Sequence, residues 1–206
     1  MTRLRYITHP EVTVDPSVDA AHWNLSPVGI ARAHAIARQP WAPEIGRIVS
    51  SDEAKAVQTA TILAEALDLT VEIREGVGEN DRSATGFVAP PRFEALADAF
   101  FAEPARSVSG WERAVDTQLR ITTGLADLLE LNTGAPASDT SDTETPASDV
   151  AVVGHGAVGT LWFCTLTGQP IDRRHDQPGQ GHYFTVDLAT RRVEHAWLPI
   201  DHFGQS

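Results

Sequence analysis

"LRYITHP", residues 4–10, is a short apolar run that carries one basic residue and stops at a histidine followed by proline. Read as a strand over Leu4 to Thr8, it delivers His9 at its carboxyl end. The same arrangement returns in "VVGHGAVGTL", residues 152–161, where a strand from Val150 to Gly154 reaches His155 and a helix starts after Gly156. Further strands are expected at Arg47 to Ser50, Thr70 to Arg74, Tyr183 to Leu188 and Arg192 to Trp197. Helical patterns lie between them. Ser26-Pro27 offers a capping side chain followed by proline at the first helical position, for a helix running through Ala37. Ser51 opens a second helix, with Ala56, Thr59, Ala60, Leu63 and Leu67 at helical spacing. Ser109-Gly110-Trp111-Glu112 reads as the capping box of a long helix reaching the neighbourhood of Leu131, and Gly168 closes the helix that follows Gly156. Strands alternating with helices predict the α/β class, as a three-layer α/β/α sandwich with a mostly parallel sheet. In such sheets ligands bind beyond the carboxyl ends of the strands, which is where His9 and His155 fall.

At 206 residues the chain fits a single domain spanning residues 1–206, large enough to bury a proper core. Hydrophobic residues make up 42% and charged residues 21%, the balance of a soluble globular protein. No apolar run approaches the roughly 18 residues that a bilayer requires. The basic start turns polar at Thr8-His9-Pro10 with no signal-peptide core behind it, so a cytoplasmic location is expected. Cys164 is the only cysteine, which rules out an internal disulfide, and its apolar setting suits a packing residue. One stretch departs from the compact pattern. "NTGAPASDTSDTETPASD", residues 132–149, lacks the large apolar side chains that would offset its ordering entropy, and a flexible insertion is expected there.

The net charge of -12 disfavours nucleic acid and anionic membranes as partners, since both are held by basic surfaces. A phosphorylated ligand would need a local cluster of donors. Four segments could supply chemistry: "YITHPEV" with His9, "SSDEAKAVQTA" with Lys55, "GENDRSATGF" with Glu79 and Arg82, and "VVGHGAVGTL" with His155. Taken alone, each has an ordinary structural explanation, as a hydrogen-bonded strand-end histidine, a solvated helix lysine or a tight turn. Together and in this order they resemble the histidine phosphatase superfamily, also called phosphoglycerate mutase-like. That family begins with a strand ending in Arg-His-Gly, followed by a Leu-Thr/Ser-x-x-Gly-x-x-Ala helix start. A Ser-Ser-Asp-x-x-Arg-Ala-x-Gln-Thr-Ala segment, a loop Glu and a strand ending in Gly-His-Gly complete it. The counterparts here are Thr8-His9-Pro10, "LSPVGIARA" from Leu25 to Ala33, "SSDEAKAVQTA" from Ser50 to Ala60, Glu79, and Gly154-His155-Gly156.

The resemblance implies a phosphatase acting on a phosphomonoester, either a small phosphorylated metabolite or a phosphoprotein, with no cofactor and no metal. His9 would attack phosphorus and form a phosphohistidine that water hydrolyses, because a neutral imidazole with an ordinary pKa of about 6.5 is a competent nucleophile. His155, with the helix terminus behind it, would donate to the phosphoryl oxygens. Glu79 would protonate the leaving oxygen and later take a proton from water. Thr8, Lys55 and Arg82 are the expected phosphate-binding residues. Thr8 and Lys55 stand where the family has arginines, so the planar forks that grip phosphate are replaced by a hydroxyl and a point charge. Arg82 could make up the deficit, as could Arg173 or Arg174. Two alternatives remain. One is a catalytically inactive relative that binds an anionic ligand or a protein partner. The other, a metal hydrolase, lacks any close-set ligand motif among the eight histidines.

Overall fold

The computed structural model describes residues 2–130 and 148–202. In chain order its elements are β1 (Arg3–Thr8), α1 (Pro27–Ile36), β2 (Ile45–Ser50), α2 (Ala54–Leu67), β3 (Val71–Ile73), α3 (Pro90–Ala102), α4 (Ala114–Gly124), α5 (Ala126–Glu130), β4 (Asp149–Gly154), α6 (Gly156–Thr167), β5 (His182–Asp187) and β6 (Arg192–Pro199). The strands form one six-stranded sheet in the order β3-β2-β4-β1-β5-β6. β1, β2, β3 and β4 run parallel, while at one side β5 pairs antiparallel with β1 and β6 antiparallel with β5. The fold is therefore the expected mixed α/β sandwich.

Side-chain alternation assigns the two faces. Leu4, Tyr6, Val150, Val152, Phe184 and Val186 pack with Ile121, Leu128, Val158, Trp162 and Phe163 from α4, α5 and α6 and with Leu125 between α4 and α5. Ile7, Ile48, Ala151 and Val153 face the other way, against Ile36, Ala56, Ala60 and Leu63 from α1 and α2. The β4 segment is buried along its whole length, as a central parallel strand must be. Each Leu or Phe so buried contributes roughly 1.5–3 kcal/mol. Cys164 is buried in α6.

Local rules explain the elements nearest the strand ends. Ser26 caps α1 by accepting from the Gly29 N–H at 3.0 Å, with Pro27 at the first position. Gly29 is required there, because a Cβ would lie 2.0 Å from the carbonyl oxygen of Glu11 in the segment that follows His9. Gly168 ends α6 in the left-handed conformation, as expected.

Other expectations are corrected. Ser109-Gly110-Trp111-Glu112 is a turn with positive φ at Ser109 and Gly110, and no capping box; α4 starts later, at Ala114. The expected long helix breaks at Leu125 into α4 and α5, and its proposed end at Leu131 lies outside the described residues. Helix α3 is not among the expected elements; it opens on Pro90 and Pro91, where proline is tolerated in a first turn. The expected insertion at 132–149 also lies outside the described residues apart from Ser148 and Asp149, of which Asp149 opens β4 and is buried.

Candidate active site

β1 and β4 are neighbours in parallel register, with Thr8 opposite Gly154, so the next residue of each chain segment leaves the sheet side by side. Those residues are His9 and His155. The His9 N–H donates to the Gly154 carbonyl at 3.0 Å, and the two imidazole rings lie 5.3 Å apart at an interplanar angle of 63°. His9 Nδ1 is 2.9 Å from the carbonyl oxygen of Pro10. A carbonyl only accepts, so Nδ1 carries the proton and Nε2 keeps its lone pair. Burial pushes the His9 pKa down to about 4, more than the Pro10 carbonyl raises it, and Lys55 lowers it further. The ring is neutral at pH 7.

His155 is set by Tyr6. The buried phenol accepts from the His155 N–H and donates to the His155 carbonyl, each at 3.1 Å. Only glycine fits just before it, since a Cβ on Gly154 would come within 2.4 Å of the Tyr6 oxygen. His155 Nε2 lies 2.7 Å from Ser51 Oγ and 3.3 Å from Glu53 Oε1. Its Nδ1 is buried with no hydrogen-bond partner among the described residues. Burial holds the His155 pKa well below the ordinary value, against the pull of Glu53.

The lysine is not free. Lys55 Nζ is ion-paired with Glu53 Oε2 and donates to the Ala20 carbonyl at 2.7 Å. Glu53 Oε1 accepts from the Glu79 N–H at 2.7 Å. Burial would raise the Glu53 pKa, but His155, Lys55 and the Glu79 N–H together hold it at about 2. The Glu79 carboxylate accepts from the backbone N–H groups of Val158 at 3.0 Å and Ala157 at 3.3 Å. It therefore caps α6, the helix terminus that follows His155. Arg82 lies over the rings of Phe93 and Trp111, 5.3 and 5.7 Å from their centroids, close enough for its charge to depress both histidines.

His9, His155, Lys55, Glu79 and Arg82 are thus brought to one end of the sheet, linked by contacts or by direct electrostatic influence. Thr8 is not joined to them through its hydroxyl, which donates to Gln177 Oε1 at 2.6 Å and accepts from the His182 N–H at 2.9 Å. Arg173 is paired with Glu94 and Asp98 of α3, and Arg174 with Asp172, so neither reaches the histidines. Among the described residues no group of three or more His, Cys, Asp or Glu side chains is placed to hold a metal ion.

Three residues escaped the sequence reading. Glu53 stands inside the quoted "SSDEAKAVQTA" segment, two positions before Lys55, and the proximity of opposite charges at a helix start was the available signal. Arg120 donates to the carbonyls of Gly76, Gly78 and Glu79 and pairs with Glu112, fixing the loop that presents Glu79. Nothing local in the sequence marks it. Tyr6 reads as an ordinary core aromatic, and its bonds to His155 span 149 positions.

The family model described as "Histidine phosphatase superfamily (branch 1)" matches residues 18–192, a span that starts after His9. No curated protein matches the chain. Among solved structures, a mycobacterial glucosyl-3-phosphoglycerate phosphatase with inorganic phosphate is 20% identical, with a TM-score of 0.76 over 98% of this chain and 100% of that one. A phosphoserine phosphatase mutant from Entamoeba histolytica is 20% identical, with a TM-score of 0.71 over 95% of this chain and 96% of that one. A putative alpha-ribazole-5'-P phosphatase from Escherichia coli is 18% identical, with a TM-score of 0.71 over 100% of this chain and 99% of that one. At such identities the likeness is one of fold. The family-model match carries more: the chain belongs to the histidine phosphatase superfamily, branch 1.

Proposed function

We propose that the protein is a phosphatase that hydrolyses a phosphomonoester through a phosphohistidine on His9. The observation that carries the reading is the state of His9: buried at a strand end beside His155, with Nδ1 bonded to the Pro10 carbonyl and Nε2 left as a nucleophile. In-line attack by Nε2 forms the N–P bond as the ester P–O bond breaks. Glu79 hands its proton to the departing oxygen and later takes one from the water that cleaves the phosphohistidine. Glu79 must leave the N–H groups of α6 to reach that oxygen, which frees those donors for the phosphoryl group at the same moment. His155 Nδ1, buried and unpartnered, gains an acceptor when a phosphoryl oxygen arrives, the neutral ring donating from Nδ1 while Nε2 accepts from Ser51 Oγ. Lys55 and Arg82 supply positive charge. The chain would be a divergent member in which Thr-His-Pro replaces Arg-His-Gly, with Thr8 bracing the Gln177 loop instead of gripping phosphate. The substrate class is a small phosphorylated metabolite or a phosphoprotein, handled within one domain.

A second reading, a binding protein without turnover, is favoured by one contact: the Glu53 carboxylate already occupies Lys55. A panel of phosphomonoesters, assayed with chelator present and with His9→Ala as control, separates the two. Hydrolysis that disappears in His9→Ala supports the phosphatase. Binding without hydrolysis by the native chain supports the second reading.

A further inference from the structure

Glu53 has no part in the chemistry above, yet it sits at its centre. One carboxylate oxygen pairs with Lys55 and the other lies 3.3 Å from His155 Nε2 while accepting the Glu79 N–H. Lys55 Nζ has its remaining contact on the Ala20 carbonyl, and its side chain is 5% exposed, so little solvent screens the pair. The charged groups acting on both histidines are Lys55, Arg82 and Glu53, two cations against one carboxylate. Glu79 faces the same space from its loop, and Arg120, whose charge also feels Glu53 and Glu79, is held on Glu112 and loop carbonyls. With Glu79 counted, the two cations face two carboxylates, so a phosphoryl dianion leaves twice the excess negative charge in this buried setting that a monoanion leaves.

We propose that Glu53 is a specificity-determining residue that sets the charge of the phosphoryl group the site accepts, admitting the monoanionic form and disfavouring the dianion. The proposal rests on the phosphate-site reading above. It predicts a pH dependence that belongs to the ligand. Glu53 stays ionised far below neutrality, and His9 and His155 are neutral in the free site, so none of the three changes charge as a phosphate group loses its second proton near a pKa of about 6.

The test is calorimetric titration with inorganic phosphate at about pH 5.5 and about pH 8.5, either side of that second ionisation, for the native chain, Glu53→Gln and His9→Ala. The native chain should lose at least about tenfold in affinity between the two conditions. Glu53→Gln should bind at least about tenfold tighter than the native chain at the higher pH and show a flattened pH dependence, since it removes a charge a few ångströms from the anion. Native affinity that is unchanged or rises with pH overturns the proposal without any variant. Equal affinity of Glu53→Gln and the native chain at the higher pH overturns it while leaving the phosphate site standing. Absence of phosphate binding by all three proteins under both conditions overturns the proposal and the phosphate-site reading together.

Discussion

The sheet carries a buried cation–carboxylate pair near each end of β4, and the two differ in what surrounds them. At the amino end, Arg5 is paired with Asp149, lies 4.7 Å from the centroid of the Trp41 ring and reaches toward Glu44, while Asp149 also accepts the Arg3 N–H. At the carboxyl end, Lys55 is paired with Glu53 beside two neutral histidines, one with an unpartnered ring nitrogen. The first pair has aromatic cover and a second carboxylate nearby, although Arg5 Nε is itself buried without a hydrogen-bond partner among the described residues. The second borders groups that need something more. Neither a buried ion pair nor a single unpartnered polar atom is thus a signature of function by itself; what sets the second pair apart is that two neutral histidines and Glu79 border it.

Breaking the Arg5–Asp149 pair should produce the largest change in stability. Arg5→Leu leaves Asp149 buried without its counter-ion, and a loss of about 3–5 kcal/mol is expected in urea unfolding. Phosphate affinity of the folded variant should stay as it was. A loss of anion binding in the folded protein would mean that the two ends of the sheet are coupled and the contrast is false.

At the site end, His9 ties stability to pH. Its pKa falls from 6.5 to about 4 on burial, so the native state resists the proton that the unfolded chain accepts. Stability is fully present above about 6.5 and declines as pH falls through about 4, by an amount on the order of 3 kcal/mol. His155, depressed in the same direction, adds with the same sign. His9→Gln should flatten the pH dependence of urea midpoints across that window.

Glu79→Gln should slow hydrolysis of alkyl phosphates by about a hundredfold, within the usual range for a lost general acid, and that of activated aryl phosphates much less. An equal loss on both substrates would assign Glu79 to capping α6 and nothing more. Lys55→Arg should have the smallest effect. A forked donor gains at most about tenfold in phosphate affinity over a point charge, and Glu53 remains to occupy part of the fork.

Much of this arrangement was legible in the chain. The alternation of short apolar runs with helical ones placed β1, β4, α1 and α6, and parallel neighbours made His9 and His155 meet. Helix α3 was missed because Pro90-Pro91 suggests a loop, and the Ser109–Glu112 turn imitates a cap because its serine and glutamate have the right spacing. Within the site, the roles of Glu53, Arg120 and Tyr6 come from contacts between distant segments, which no local pattern encodes. The engagement of Thr8 by Gln177, 169 positions away, is hidden for the same reason.

The central claim is the covalent step at His9, and rapid acid or base quenching of the protein with a radiolabelled phosphomonoester tests it directly. The account predicts protein-bound phosphate that survives base, is lost in acid, maps to His9 and is absent from His9→Ala, whose turnover falls at least about a thousandfold. Undiminished turnover in His9→Ala, or label that maps to another side chain, would contradict it.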